Sequence, residues 1–170
     1  MARYDFAYDR KANSGSFPSF KYRAILRHAG LRACRELTVA APADPWTPAQ
    51  TVQPAQLVAE LQDSRHPHPL VIYVGVRTLY TGGHIPGAIY FGPGSSEQGI
   101  AELKKYAAGL PKNSDVILYC GCCPLEKCPN LRPAFSALKD FPLARLRVLI
   151  LPKSFSADWV EKGFPVQKGS

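Results

Sequence analysis

Val116-Ile117-Leu118-Tyr119-Cys120-Gly121-Cys122-Cys123-Pro124-Leu125-Glu126-Lys127-Cys128-Pro129-Asn130 joins an apolar run to a cluster of thiols and then to a helix start. Its first four residues show no polar alternation, the pattern of a strand buried on both faces. Asn130 suits a helix cap and Pro133 the first turn, with Phe135, Leu138 and Phe141 facing inward. Ligands of open α/β sheets bind where a strand's carboxyl end leads through a loop into a helix N-terminus. Cys120 occupies that position.

The flanking segments repeat the alternation. Pro54 opens a short helix carrying Leu57, Val58 and Leu61, and His66-Pro67-His68-Pro69 ends it in a solvated loop. Leu70 to Val74 is a second buried-type strand, followed by a Gly-rich loop and a short strand from Ala88 to Phe91. Ser95 or Ser96 caps a helix with Ile100, Leu103, Tyr106 and Ala107, ending at Gly109 and Pro111. Leu146 to Leu151 reads as a strand, and residues 157–161 as a short helix. This order predicts α/β class: a single domain with an open, mostly parallel five-stranded sheet and helices on both faces.

A chain of 170 residues accommodates one such domain. With 46% hydrophobic and 20% charged residues, collagen-like and wholly disordered classes are excluded. No apolar run approaches the ~18 residues of a membrane span, so none is expected. The 21 basic and 13 acidic residues give +8, but residues 1–40 hold eight Lys/Arg against Asp5, Asp9 and Glu36. The excess therefore sits mainly outside the predicted domain, and no nucleic-acid partner is expected.

Residues 1–50 are expected to form a basic, weakly structured extension with a linker at Pro42, Pro45 and Pro48; residues 51–167 form the domain. Within the extension, Ser19 to Leu37 reads as a basic amphipathic helix. Ala41-Pro42-Ala43 has the small residues of a signal-peptidase site, yet Arg32, Arg35 and Glu36 occupy the place of an apolar segment. No working export signal is read, which makes the cytoplasm the default compartment, and the periplasm the alternative if the true start lies further along.

Four of the five cysteines fall in the thiol loop, with Cys34 alone in the extension. One tight cluster points to catalysis, redox exchange or metal ligation rather than a disulfide framework. Unpaired amides, the helix dipole and Lys127 or Arg132 would favour a thiolate on Cys120, the candidate nucleophile. Gly121 allows close backbone approach.

Three segments carry a resemblance to the rhodanese-like family, covering roughly Thr51 to Val166. Val74-Gly75-Val76-Arg77-Thr78-Leu79-Tyr80-Thr81-Gly82-Gly83-His84-Ile85-Pro86-Gly87-Ala88 looks like the family's Asp-Val-Arg, Glu-Tyr, Gly-His-Ile-Pro-Gly-Ala signature. Val116 to Cys120 is similar to the strand that delivers its active cysteine, and Trp159, Gly163, Pro165 and Val166 match its C-terminal pattern. The resemblance implies a sulfurtransferase without cofactor: Cys120 accepts a sulfane sulfur as a persulfide and passes it to cyanide, a thiol or a sulfur-acceptor protein. Gly121, Cys122, Cys123, Lys127 and Arg132 would bind the small sulfur-containing anion. Arg77 would tie loops, His84 would hold a structural hydrogen bond, and Trp159 would plug the core.

The chain departs from that pattern at several places. Gly75 stands for the family's Asp and Leu79 for its Glu, while Lys153-Ser154 replaces a Gly-Gly. The thiol loop is longer than usual and lacks a Gly-x-Arg ending. Where related dual-specificity phosphatases carry Arg, the count from Cys120 reaches Glu126, whose carboxylate would repel phosphate. Cys122, Cys123 and Cys128 could resolve the persulfide by forming a disulfide or accepting the sulfur. The alternative reading is thiol–disulfide redox, or capture of a soft ion such as Zn²⁺, Cu⁺ or arsenite. Adjacent Cys122 and Cys123 do not easily aim both sulfurs at one tetrahedral ion, and no metal is assigned.

Overall fold

The computed structural model describes residues 43–169. Five strands, β1 (Thr51–Val52), β2 (Leu70–Tyr73), β3 (Ile89–Tyr90), β4 (Asp115–Tyr119) and β5 (Arg145–Leu149), form one sheet in the order β1-β5-β4-β2-β3. Every neighbouring pair is parallel, with Leu118 of β4 opposite Ile72 of β2 and Val148 of β5. Helices α1 (Pro54–Gln62), α2 (Arg77–Gly82), α3 (Glu97–Ala108), α4 (Leu131–Leu138) and α5 (Phe155–Asp158) connect and follow them.

Strand parity sorts the central strand between two cores. Val116, Leu118 and Cys120 pack with Leu103 of α3 and Leu131, Ala134 and Phe135 of α4. Ile117 and Tyr119 point the other way, among Leu57 of α1, Tyr80 of α2 and Trp159. The run 116–119 is apolar without alternation because both faces are covered.

Two elements escape the sequence reading. β1 is a two-residue edge strand paired with β5, too short for any period. α2 forms in the stretch expected as a Gly-rich loop, and buries Tyr80. The expected last helix becomes α5 and a 3₁₀ turn over Val160–Lys162, with Ser154 capping α5 through the Ala157 N–H at 3.1 Å.

The stretch expected as an extended linker is packed from Asp44 onward. Trp46 is buried edge-on against Phe135 of α4, with ring centroids 5.5 Å apart. Asp44 pairs with Arg132 at 2.7 Å, and Thr47 and Gln50 close a capping box around the 3₁₀ turn Pro48–Gln50. The expected helix Ser19 to Leu37 and Cys34 lie outside the described residues. At the amino end of the sheet, Arg147 is 5% exposed and bridges Glu60 (2.7 Å) and Asp115 (2.6 Å), tying α1 to β4 and β5. Among the described residues no helix is long and apolar enough to cross a membrane.

Candidate active site

Cys120 follows the last residue of β4, and the chain turns immediately at Gly121, whose φ is +71°. A side chain there would meet Phe155 Cβ at 2.7 Å, so the turn needs glycine for both conformation and space. The Gly121 carbonyl accepts the Phe155 N–H at 3.0 Å, joining the loop to α5. Downstream, a 3₁₀ turn over Leu125–Lys127 leads to Cys128 and the start of α4.

Arg132, expected to bind the donor anion, holds the loop instead. Its Nη1 donates to the carbonyls of Leu125 (3.1 Å), Glu126 (3.3 Å) and Cys128 (3.5 Å), and its Nε donates to Asp44 at 2.8 Å. Lys127 is exposed and does not line the cavity beside Cys120. Lys168, which the sequence reading passed over, supplies that cavity's cation.

The loop brings its four thiols together. Cys120 Sγ lies 3.0 Å from Cys122 Sγ, which lies 3.4 Å from Cys123 Sγ. The sulfurs of Cys120, Cys122 and Cys128 are all within 4.8 Å of one another, and all four cysteines are free. Asn130 does not cap α4 with its side chain. Its Nδ2 is directed at Cys120 Sγ (3.5 Å) and Cys122 Sγ (3.6 Å), and its Oδ1 accepts the Ser95 N–H at 3.1 Å. Three sulfurs could hold a soft ion in trigonal fashion, but Cys123 falls outside the trio, leaving the tetrahedral set of a structural zinc site incomplete.

Electrostatics reverse the expected ionisation. The Cys128 thiol is lowered to about 5, first by the hydrogen bond from Cys120, then by the N–H groups of Asn130 and Leu131 at the start of α4, with burial opposing. Cys120 is pushed far above the ordinary thiol range by that same Cys128 partner, and further by burial and Cys122. Burial, with Cys122 second, pushes Cys123 up to about 12. Within this coupled cluster, ionisation is favoured at Cys128 and disfavoured at Cys120.

Cys120, Gly121 and Cys122 share a cavity of about 400 Å³ with the apolar side chains of Leu79, Phe155, Val160 and Val166. Cys120 is only 2% exposed, so its sulfur is reached through this opening rather than from open surface. Tyr73 also lines it, and its buried hydroxyl has no hydrogen-bond partner among the described residues. A Cβ on Gly75 would lie 2.5 Å from that hydroxyl and 3.0 Å from Cys120 Sγ. The missing side chain at Gly75 therefore makes the room in which the tyrosine ring and the thiol meet.

The signature residues lie around this site rather than in it. His84 is buried, stacked on Tyr80 with centroids 3.9 Å apart, and its Nδ1 is 2.8 Å from the Tyr80 carbonyl. Arg77 sits 4.4 Å over the Tyr90 ring. Trp159 is fully buried and donates from Nε1 to the Pro165 carbonyl at 2.8 Å.

Together these features define an α/β domain that presents a thiol cluster at the carboxyl end of its central strand, beside a partly apolar cavity. Residues 53–124 match the family described as the Rhodanese-like domain. Among solved structures it is similar to the BH2092 protein of Bacillus halodurans (20% identity, 69% of this chain and 76% of that one, TM-score 0.53). It is also similar to the Alr3790 protein of Anabaena sp. (22% identity, 69% and 82%, TM-score 0.52). These likenesses concern the fold. No protein of curated function matches the sequence. The family match ends at Pro124, so Cys128, Asn130 and Arg132 lie beyond it.

Proposed function

We propose that this domain is a sulfurtransferase that carries sulfane sulfur as a persulfide on Cys120. The observation that supports the reading most is the placement of Cys120 Sγ at the end of the central strand, facing a cavity large enough for a small donor. Loading would begin when Cys120 gives up its proton within the thiol cluster. Its thiolate attacks the outer sulfur of a donor such as thiosulfate; the donor's S–S bond breaks and sulfite leaves with the electron pair. An acceptor such as cyanide or a thiol then takes the outer sulfur, forming thiocyanate or a new persulfide and restoring the Cys120 thiolate.

The negative charge is served by few groups: the Cys122 backbone N–H directed at Cys120, the Asn130 amide, and Lys168 at the cavity. The apolar walls favour a donor with an organic body over a small dianion. Thiocyanate formation from thiosulfate and cyanide, and sulfur transfer from glutathione persulfide to a thiol, test the reading. Cys120→Ser is expected to abolish both with the fold intact; an active variant would rule out this nucleophile.

The trio of sulfurs supports a second reading, thiolate capture of a soft ion. Elemental analysis of protein purified without chelator separates the two. Stoichiometric metal lost in Cys122→Ser would favour capture.

A further inference from the structure

The persulfide cycle leaves Cys128 without a task, although its sulfur lies within 4.8 Å of Cys120 Sγ. Cys128 is 4% exposed and packs in the core with Leu131 and Ala134, and it does not line the cavity. Cys120 does line the cavity, which offers room for an outer sulfur on its Sγ. Displacement at a disulfide sulfur runs in line, with the incoming and leaving sulfurs on opposite sides of the atom attacked. Cys128, off the cavity that Cys120 lines, suits the position opposite a sulfur leaving into it.

We propose that Cys128 attacks the inner sulfur of a Cys120 persulfide, forming a Cys120–Cys128 disulfide and expelling the outer sulfur as hydrosulfide into the cavity. The inference rests on the sulfur-loading reading. The proton that Cys120 released into the cluster during loading passes to the outer sulfur, and the Cys128 thiolate supplies the electron pair of the new bond. The bond between Cys120 Sγ and the outer sulfur breaks, and its pair leaves with that sulfur. The sulfane sulfur is reduced by two electrons and two cysteines are oxidised, so this step needs no external oxidant. Return to the free thiols requires a dithiol reductant, which exchanges with the bridge and leaves as a disulfide. The partner this site calls for is therefore a dithiol donor, whether a protein or a small molecule.

Cys122 is the nearer thiol, at 3.0 Å, but it lines the same cavity as the outer sulfur and would approach Cys120 from the leaving-group side. A bridge between them would also close over a single residue. The Cys120 partner first, and then the amides of Asn130 and Leu131, favour the thiolate form of Cys128.

The test uses the full chain, reduced and freed of reductant, mixed with glutathione persulfide and separately with thiosulfate. The wild type is expected to release one hydrosulfide per chain and to end two hydrogens lighter, with Cys120 and Cys128 in one disulfide-linked peptide pair. In Cys128→Ser, whose hydroxyl can accept the same amide hydrogens, the added sulfur is expected to persist on Cys120. Hydrosulfide release should fall about tenfold or more. If that variant does not fold, the linked-peptide map of the wild type still decides. A bridge from Cys120 to Cys122 or Cys123, or a persulfide that persists in the wild type, overturns the proposal and leaves sulfur loading standing. No sulfur on Cys120 from either donor, in either protein, overturns the loading reading itself.

Discussion

Replacing Gly75 with alanine adds one methyl group at the most crowded point of the site. Gly75 does not adopt a positive φ, so the backbone tolerates alanine and the effect is steric alone. The new Cβ would lie 2.5 Å from the Tyr73 hydroxyl and 2.6 Å from its Cζ, so the ring must retreat by about 0.9 Å to reach ordinary contact at 3.4 Å. That ring is wedged among Tyr80, Tyr90 and Tyr119, with centroids 5.1 to 6.2 Å away, and cannot swing aside freely. Overpacking of this kind costs about 1–3 kcal/mol. The same Cβ would be 3.0 Å from Cys120 Sγ and push the sulfur from its place at the cavity. Misplacing a reacting group by ~1 Å can cost about a hundredfold in rate. Urea unfolding should show a lower midpoint at unchanged slope, and rapid-quench alkylation should show slower loading of Cys120. Wild-type stability together with wild-type loading would refute the claim that Gly75 makes room for Tyr73 and the thiol.

Three further outcomes are expected. Tyr73→Phe removes a buried hydroxyl that has no partner among the described residues and should raise stability by about 1 kcal/mol; a loss of that size in urea unfolding would show that the hydroxyl is satisfied. Trp46→Ala removes a buried ring packed on Phe135 and beneath Arg132, and should cost about 3–5 kcal/mol, whereas a linker residue would cost almost nothing. Glu60 is held below its ordinary 4.5 chiefly by the hydrogen bond from Arg147, so its stabilisation is complete above that value and lost as pH falls through the lower folded value. Glu60→Gln should flatten the acid limb of unfolding free energy against pH, and an unchanged limb would deny the carboxylate this role.

Much of this architecture is written in local pattern. The apolar runs at Leu70 to Val74 and Val116 to Tyr119 are strands buried on both faces, and their position before loops fixes where a ligand site forms. The short pieces carried no period: β1 has two residues, and α2 ends in Gly82-Gly83, which reads as loop. Trp46 was hidden among prolines, since nothing local reveals that a ring will find Phe135 far along the chain.

The thiol site was legible as a place and not as an electrostatic arrangement. Cys120 is at its expected position, but which sulfur ionises more readily depends on the pairing of Cys120 with Cys128 and then on the amides of Asn130 and Leu131 folding back on Cys128. Asn130 looked like a helix cap and Arg132 like an anion binder. Tertiary contacts turn the first toward the sulfurs and tie the second to three carbonyls and Asp44. Gly75 was legible only as a departure from the family signature; its use appears once Tyr73 and Cys120 are seen converging on it.

Thiosulfate radiolabelled in its outer sulfur, trapped by rapid alkylation and followed by peptide mapping, tests sulfur carriage most directly. The label should appear first as an alkylated persulfide on the Cys120 peptide, with matching sulfite release, and be absent from Cys120→Ser. Label arriving first on Cys122, Cys123 or Cys128, or sulfite release that survives Cys120→Ser, would contradict it.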